Sequence, residues 1–345
     1  MTGGGRPAAG IRDVAAAASV SVGTVSNVLN APHKVAPSTV ARVHAAIAEL
    51  GFVRNDVARQ LKARRSRCVA LLVLDVGNPF FTDIARGAED RAAQENLIVL
   101  LGTSDDDARR ERAYIDAFDE QRVYGLLVSP IGDDLSRLTT MRARGTPVVL
   151  VDRDGSGTEF DSVAVDDVAG AESAVRHLCE QGRRRIAVVT GPRELRQVRD
   201  RLRGARQAIA AVPGASLEVL EAPALTVLEG RVAGEKIRDR PAGRRPDAVF
   251  CANDLLAIGM LAALALTGRL RVPDDIAVVG YDDIDFAGSG VVPLTSVRQP
   301  RQAIGATAID LLLAAADGGP DHRPGHVVFQ PELIERASSV IGPSF

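Results

Sequence analysis

The chain has 345 residues, 46% hydrophobic and 25% charged, which suits two or three folded domains and excludes collagen-like or low-complexity chains. Aromatics are only 3% and Trp is absent, so aliphatic side chains must fill the core, and three distant Cys with no C-x-x-C pair exclude a disulfide framework or a zinc site. The net charge of −2 is unevenly spread: residues 1–67 hold ten basic and three acidic side chains, a local +7, which leaves −9 for the remainder. A small basic module on a large acidic body is an electrostatic footprint for nucleic acid.

Residues 1–10 are Gly/Ala-rich and predict a disordered tail. They lack the apolar stretch of a secretory signal, and runs such as Val69–Leu74 fall far short of the roughly 20 residues of a membrane span. A cytoplasmic protein without membrane contact is expected. Ile11, Val14, Ala15 and Ala18 recur at helical spacing and predict a first short helix. Ser21 reads as the N-cap of a second, Val22–Leu29, with Val25, Val28 and Leu29 as its buried stripe. Pro37-Ser38 opens a third, with Val40, Val43, Ile47 and Leu50 on one face and Gly51 as its stop. Two short helices and a bracing third are the helix-turn-helix arrangement, whose second helix enters the major groove.

From Cys68 strands and helices alternate: strand Cys68–Asp75, helix Pro79–Gln94, strand Leu97–Leu101, and so on to strand Pro147–Val151. The alternation restarts after Asp166 and runs to strand Ile276–Val279, with a last strand at His326–Gln330. Alternating β and α predicts parallel sheets covered on both faces, here two doubly wound lobes. Ligands of such folds sit beyond the carboxyl ends of the strands. Asp75 and Asn78, Asp152, Asn253 and Asp254, and Asp282 and Asp283 all follow strand ends. Asp254 reads as an N-cap, Asp283 as a surface residue, and Phe80 equally as core packing.

Rival chemistry finds little support. There is no G-x-G-x-x-G after a strand, no G-K-S/T loop, no H-E-x-x-H and no G-x-S-x-G, and the five His have no metal-like spacing. An enzyme would have to rest on Asp152 and Asp282 alone, without nucleophile or metal. No cofactor, metal or catalytic residue is expected.

The run IRDVAAAASVSVGTVSNVLN, followed by KVAPSTVARVHAAIAELGF and NDVARQLK, closely resembles the N-terminus of the lactose-repressor/galactose-repressor (LacI/GalR) family. NPFF at Asn78–Phe81, CAND at Cys251–Asp254, VVGYDD at Val278–Asp283 and PLTSVRQP at Pro293–Pro300 extend the resemblance to about Ser338. It implies an all-α helix-turn-helix head on an α/β, periplasmic-binding-protein-like body. The expected domains are a head at 11–53, a hinge helix and linker at 54–67, and a body at 68–343. The first lobe is expected at about 68–165 plus 297–326, the second at about 166–296 plus 327–343.

By the family pattern Val22, Gly23 and Asn27 face the bases. The Asn27 amide can pair with adenine, Val22 can touch a thymine methyl, and Gly23 can only admit the backbone itself. Ser21, Thr24, Ser26 and Asn30 suit phosphate contacts or plain helix capping. Asn55, Ala58, Arg59, Leu61 and Lys62 fall in the family's hinge helix, where Leu61 takes the position of a minor-groove wedge. Arg54 stands where the family usually has Pro. The effector contacts carried over are Asn78, Phe80, Phe81, Asp152, Arg201, Asn253 and Asp282. In purine-responsive members polar and aromatic groups stand where this chain has Leu195, Gln197 and Leu225, which favours a sugar or sugar derivative. Arg153 leaves room for an acidic or phosphorylated one. The resemblance therefore implies a repressor that binds near-palindromic double-stranded operator DNA as a homodimer under a small-molecule effector. A tetramer is not expected. A secreted solute-binding protein or a sugar-modifying enzyme on the same body are the alternatives.

Overall fold

The computed structural model describes residues 9–52, 66–265 and 270–340. The chain divides into two compact units, residues 1–65 and 66–345.

The first unit is α1 (Ile11–Ala17), α2 (Val22–Asn30) and α3 (Pro37–Leu50). Ser19, at φ 52°, turns the chain after α1, and the Ser21 hydroxyl caps α2 by accepting the Thr24 N–H at 3.0 Å. Pro37 opens α3, and Gly51, at φ 59°, ends it in the left-handed conformation that glycine adopts without a Cβ clash. The three helices meet on Val14, Ala15, Ala18, Val25, Val28, Val43 and Ala46. Such small side chains let short helices approach closely enough to share a core.

The second unit opens with β1 (Cys68–Val73), α4 (Pro79–Gln94), β2 (Ile98–Thr103), α5 (Ala108–Glu120), β3 (Gly125–Val128), α6 (Ser136–Ala143), β4 (Val148–Val151) and β5 (Asp161–Val165). It continues with α7 (Asp167–Glu180), β6 (Arg185–Thr190), α8 (Arg196–Ala210), β7 (Ser216–Glu221), α9 (Val227–Arg238), β8 (Ala248–Cys251) and α10 (Asp254–Leu264). After these come β9 (Ala277–Asp282), α11 (Asp285–Ser289), β10 (Thr295–Arg298), α12 (Arg301–Gly318), β11 (His326–Phe329) and β12 (Glu332–Ile334). One sheet runs β11-β5-β4-β3-β1-β2, all parallel; the other runs β12-β10-β9-β8-β6-β7, parallel except for β12. Central strands such as CVALLV, VVLV and AVFC are apolar throughout because helices cover both faces.

The lobe boundaries fall a few residues from their expected places. β10 pairs with β9, so residues 297 and 298 stay in the second lobe; β11 pairs with β5, so residues 327–329 belong to the first. The four-residue strands β3, β4 and β8 are apolar runs and were anticipated; β5 (DSVAV), β10 (TSVR) and β12 (ELI) mix in polar or charged residues and were not. The chain therefore crosses between lobes three times: after β5, between β10 and α12, and between β11 and β12.

α4 and α12 pack backbone to backbone. A Cβ on Gly87 or on Gly305 would stand 2.0 Å from the carbonyl of Gln302 or Ile84. The contact holds Arg301, whose Nε lies 3.0 Å from Asp83 Oδ2, beside the last crossing into the first lobe. Among the described residues no helix is long and apolar enough to cross a membrane.

Candidate functional site

On the head, Ser21, Val22, Gly23, Asn27 and Asn30 are exposed along one face of α2, opposite the buried Val25 and Val28. Thr24 and Ser26 are half-buried. Ser21 and Thr24 are bonded hydroxyl to hydroxyl at 2.9 Å, and the Asn30 amide donates to the Ser26 carbonyl at 2.8 Å. The capping alternative for these four residues is therefore met within the helix itself. A Cβ on Gly23 would meet only the Ser21 hydroxyl, at 3.6 Å, so packing inside the head does not require glycine there. Asn55, Ala58, Arg59, Leu61 and Lys62 lie outside the described residues.

In the body, a cavity of about 260 Å³ opens between the lobes and gathers Asn78, Phe80, Phe81, Asp152, Arg201, Asn253 and Asp282 around one space. Asn78 N-caps α4, its Oδ1 accepting the Phe80 N–H at 3.0 Å. This fixes the Phe80–Phe81 pair, whose rings stand edge to face at 5.0 Å. Both rings also belong to the first lobe's core, so packing and cavity wall are one role here. Asn253 N-caps α10 with Oδ1 and donates Nδ2 to the Leu225 carbonyl at 3.1 Å.

Arg201 is almost wholly buried under the cavity floor. Its Nε donates to Asp167 at 2.7 Å, its Nη1 to the Ala252 carbonyl at 2.6 Å, and its guanidinium lies 3.7 Å over the Tyr281 ring. Burial opposes its charge, but Asp167 and Asp282 outweigh burial and hold it above the ordinary arginine value. Burial, with Asp167, holds the Asp152 carboxyl well above the usual carboxylate range. Burial also pushes Asp282 up to about 6, against the pull of Arg201, Asn78 and Gln299.

Each of these two carboxylates is gripped from the opposite lobe. Asn78 Nδ2 of the first lobe donates to Asp282 Oδ2 at 3.2 Å, and Gln197 Nε2 of the second donates to Asp152 Oδ2 at 3.3 Å. Gln299, beside the crossing, donates to Asp282 Oδ1 at 2.8 Å, and Arg199 on α8 reaches Asp133 of the first lobe at 2.9 Å. Five of the eight positive-φ non-glycine residues among those described, Asp105, Asp106, Asp152, Asp282 and Asp283, lie at the strand ends around this cavity. Such conformations cost energy and concentrate where a site fixes its side chains.

Three sequence expectations are corrected. Asn253, not Asp254, caps α10; Asp254 is fully buried and accepts the Ser296 hydroxyl at 2.6 Å and the Ile284 N–H at 2.8 Å, in room left by Gly280. Asp283 is buried, paired with Arg298 and Arg336 at 2.7 Å each. Arg153 is buried outside the cavity lining, bonded to the Gly132 carbonyl and to Asp133. Sequence reasoning missed Asp105, Asp106 and Thr226, which also line the cavity. The available signal was the Ser104–Asp107 run just beyond β2, another strand end.

Residues 10–55 match the family described as bacterial regulatory proteins, lacI family, and residues 175–339 match a periplasmic binding protein-like domain. A relative, "HTH-type transcriptional repressor PurR" of Aliivibrio fischeri (strain MJ11), is 33% identical over 335 residues, 95% of this chain and 97% of its own. A lac repressor dimer, solved bound to operator and the anti-inducer ONPF, is 26% identical with a TM-score of 0.84, covering 97% of this chain and 100% of that one. A transcriptional regulator, CelR, solved as its cellobiose complex, is 33% identical with a TM-score of 0.70, covering 96% and 100%.

Proposed function

The chain belongs to the LacI family of bacterial regulatory proteins, DNA-binding repressors with an effector domain and not enzymes. On that premise we propose that it acts in the cytoplasm as a homodimer on a near-palindromic operator, which it leaves when a sugar or sugar derivative binds between the lobes. The observation that carries the reading is the pair of crossed grips, Asn78 on Asp282 and Gln197 on Asp152. A ligand seated between those carboxylates exchanges with donors from both lobes, so its binding energy depends on the angle between them. Only such differential affinity lets a ligand bias two states.

A sugar suits the cavity chemically. Carboxylates and an amide meet vicinal hydroxyls, and Phe80 with Phe81 meets a C–H face. Relatives such as the cellobiose-bound regulator support the class. The acid-rich lining and the engagement of Arg153 elsewhere speak against a phosphorylated ligand. A second copy of the chain suits two apolar surfaces of the body: the edge strand β2, with Ile98 57% exposed, and the groove around Phe286 and Val291.

On DNA, Val22, Gly23 and Asn27 read base edges, while Ser21, Thr24, Ser26 and Asn30 lie along phosphates. Asn55, Ala58, Arg59 and Lys62 hold the minor-groove backbone, and Leu61 opens a base step. The test is selection of duplexes from a random pool by the purified full chain. A near-palindromic consensus, affinity that falls steeply with salt, and release by a sugar are expected. No preference for any duplex over random competitor would sink the reading.

A further inference from the structure

We propose that the Asp75–Asp106 end of the interlobe cavity is a subsite for a protonated amine, so that the effector is an amino-bearing polyol. The inference rests on the reading of that cavity as the effector site and goes beyond it by naming the group that sets specificity.

The subsite is built at the carboxyl ends of two neighbouring strands. β1 and β2 pair from Cys68↔Ile98 to Val73↔Thr103; Asp75 follows the first strand, and Asp105 and Asp106 the second. The two loops are pinned together. Thr103 donates its hydroxyl toward the Leu74 carbonyl at 3.2 Å and Asp105 Oδ1 at 2.8 Å, and the Ser104 N–H donates to the Val73 carbonyl at 2.9 Å. The three carboxylates are thus held in place by the fold.

Their partners are unequal. Asp105 is ion-paired with Arg110, and Asp75 Oδ1 accepts the Gly77 N–H at 2.7 Å. Asp106 Oδ1 is buried and has no hydrogen-bond partner. Burial, with Asp75 and Asp105 beside it, pushes its carboxyl up to about 6. In the same cavity Asp152, only 6% exposed, also has one oxygen, Oδ1, with no partner. The lining holds five aspartates and a single cation, Arg201, which is already committed to Asp167 and the Ala252 carbonyl.

A ligand phosphate would meet uncompensated negative charge. A hydroxyl would satisfy the bare oxygen but leave the crowded charge. A protonated amine does both, since it brings three donors and a positive charge. A metal ion is a poorer fit, because among the described residues no three His, Cys, Asp or Glu side chains converge to hold one.

The experiment is calorimetric titration of the full-length protein at pH 7.4 with glucose, galactose and ribose, each as parent sugar, amino-deoxy analogue and phosphate ester. For at least one sugar the amino form should bind about tenfold more tightly than its parent and the phosphate not at all, and Asp106→Asn should bring amino and parent forms within about twofold. Binding in which, for every sugar that binds, the parent does as well as its amino analogue overturns the amine subsite and leaves the effector site standing. A phosphate that binds best overturns it too, and no binding by any form up to about 50 mM overturns both readings together.

Thermal melting checks the variant independently. Asp106 titrates higher folded than unfolded, so its stabilising contribution is complete below the ordinary carboxylate pKa and is lost as pH rises through about 6. Asparagine has no such loss. The variant should match the parent near pH 4 and melt higher above pH 7; a variant that melts no higher at neutral pH shows that the crowding by Asp75 and Asp105 is not felt.

Discussion

The exposed face of α2 and the interlobe cavity treat their polar groups in opposite ways. On α2 the hydrogen bonds of Ser21, Thr24, Ser26 and Asn30 close within four residues, and Val22, Gly23 and Asn27 project from a helix whose other side makes the core. In the cavity the partners are distant in sequence: Gln299 and Asp282 are 17 residues apart, Gln197 and Asp152 are 45, and Asn78 and Asp282 are 204. The reading face can therefore change without disturbing the fold that presents it. Asn78, Asp152, Gln197 and Asp282 are each both a candidate ligand contact and part of a tie between lobes, so substitution there mixes affinity with the closing equilibrium.

That contrast can be broken or sharpened by four substitutions. The largest effect is expected from Leu61→Ala, which removes the proposed wedge. Operator affinity measured by fluorescence anisotropy should fall about 100-fold, near 2.7 kcal/mol, while effector affinity stays within about twofold. Unchanged operator binding would remove the wedge. Next is Asp282→Asn, which keeps the shape but loses the charge that Asn78 and Gln299 bond to. Effector affinity should drop by about 30-fold, with ligand-free operator binding preserved. Loss of both activities together would mean that the cavity is not separable from the head.

Gly23→Ala should make the two regions diverge most clearly. Nothing in the head fills the space beside Gly23, so alanine should raise helix stability by up to about 1 kcal/mol. Operator affinity should nevertheless fall about tenfold, because a methyl group occupies the closest approach to the bases. A variant both more stable and equally tight on DNA contradicts the backbone contact. The smallest effect is expected from Asp133→Asn. Its bond to Arg199 crosses the lobes but is 62% exposed at the carboxylate, so it is worth at most about 1 kcal/mol. Effector affinity should weaken no more than about fivefold, and added salt should erase the difference.

Legibility follows the same division. Helical spacing, the Ser21 cap and the Gly51 stop are local signals, and they located α1, α2 and α3 to within a residue or two. The apolar strands at the centre of each sheet were equally plain. The lobe exchanges were not, because β10 and β12 are short and partly polar and β11 pairs with a strand as far back in the chain as β5. In the cavity, position after a strand end was enough to nominate Asp152, Asn253 and Asp282. It could not separate Asp254 and Asp283, which turned inward to Ser296, Arg298 and Arg336, from residues that face the space. Asp106 was passed over because it sits in an acidic run that looks like any solvated loop until β1 and β2 are set side by side.

The three passages of the chain between lobes carry a consequence for biosynthesis. α12 and β11 complete the first sheet's layer, and β12 completes the second, so the single stretch 301–334 supplies pieces of both. The first sheet is complete with β11 at Phe329, and the second only with β12 at Ile334. A chain stopped ahead of His326 therefore lacks an edge strand of each sheet at once, whereas one stopped between Phe329 and Glu332 lacks only that of the second.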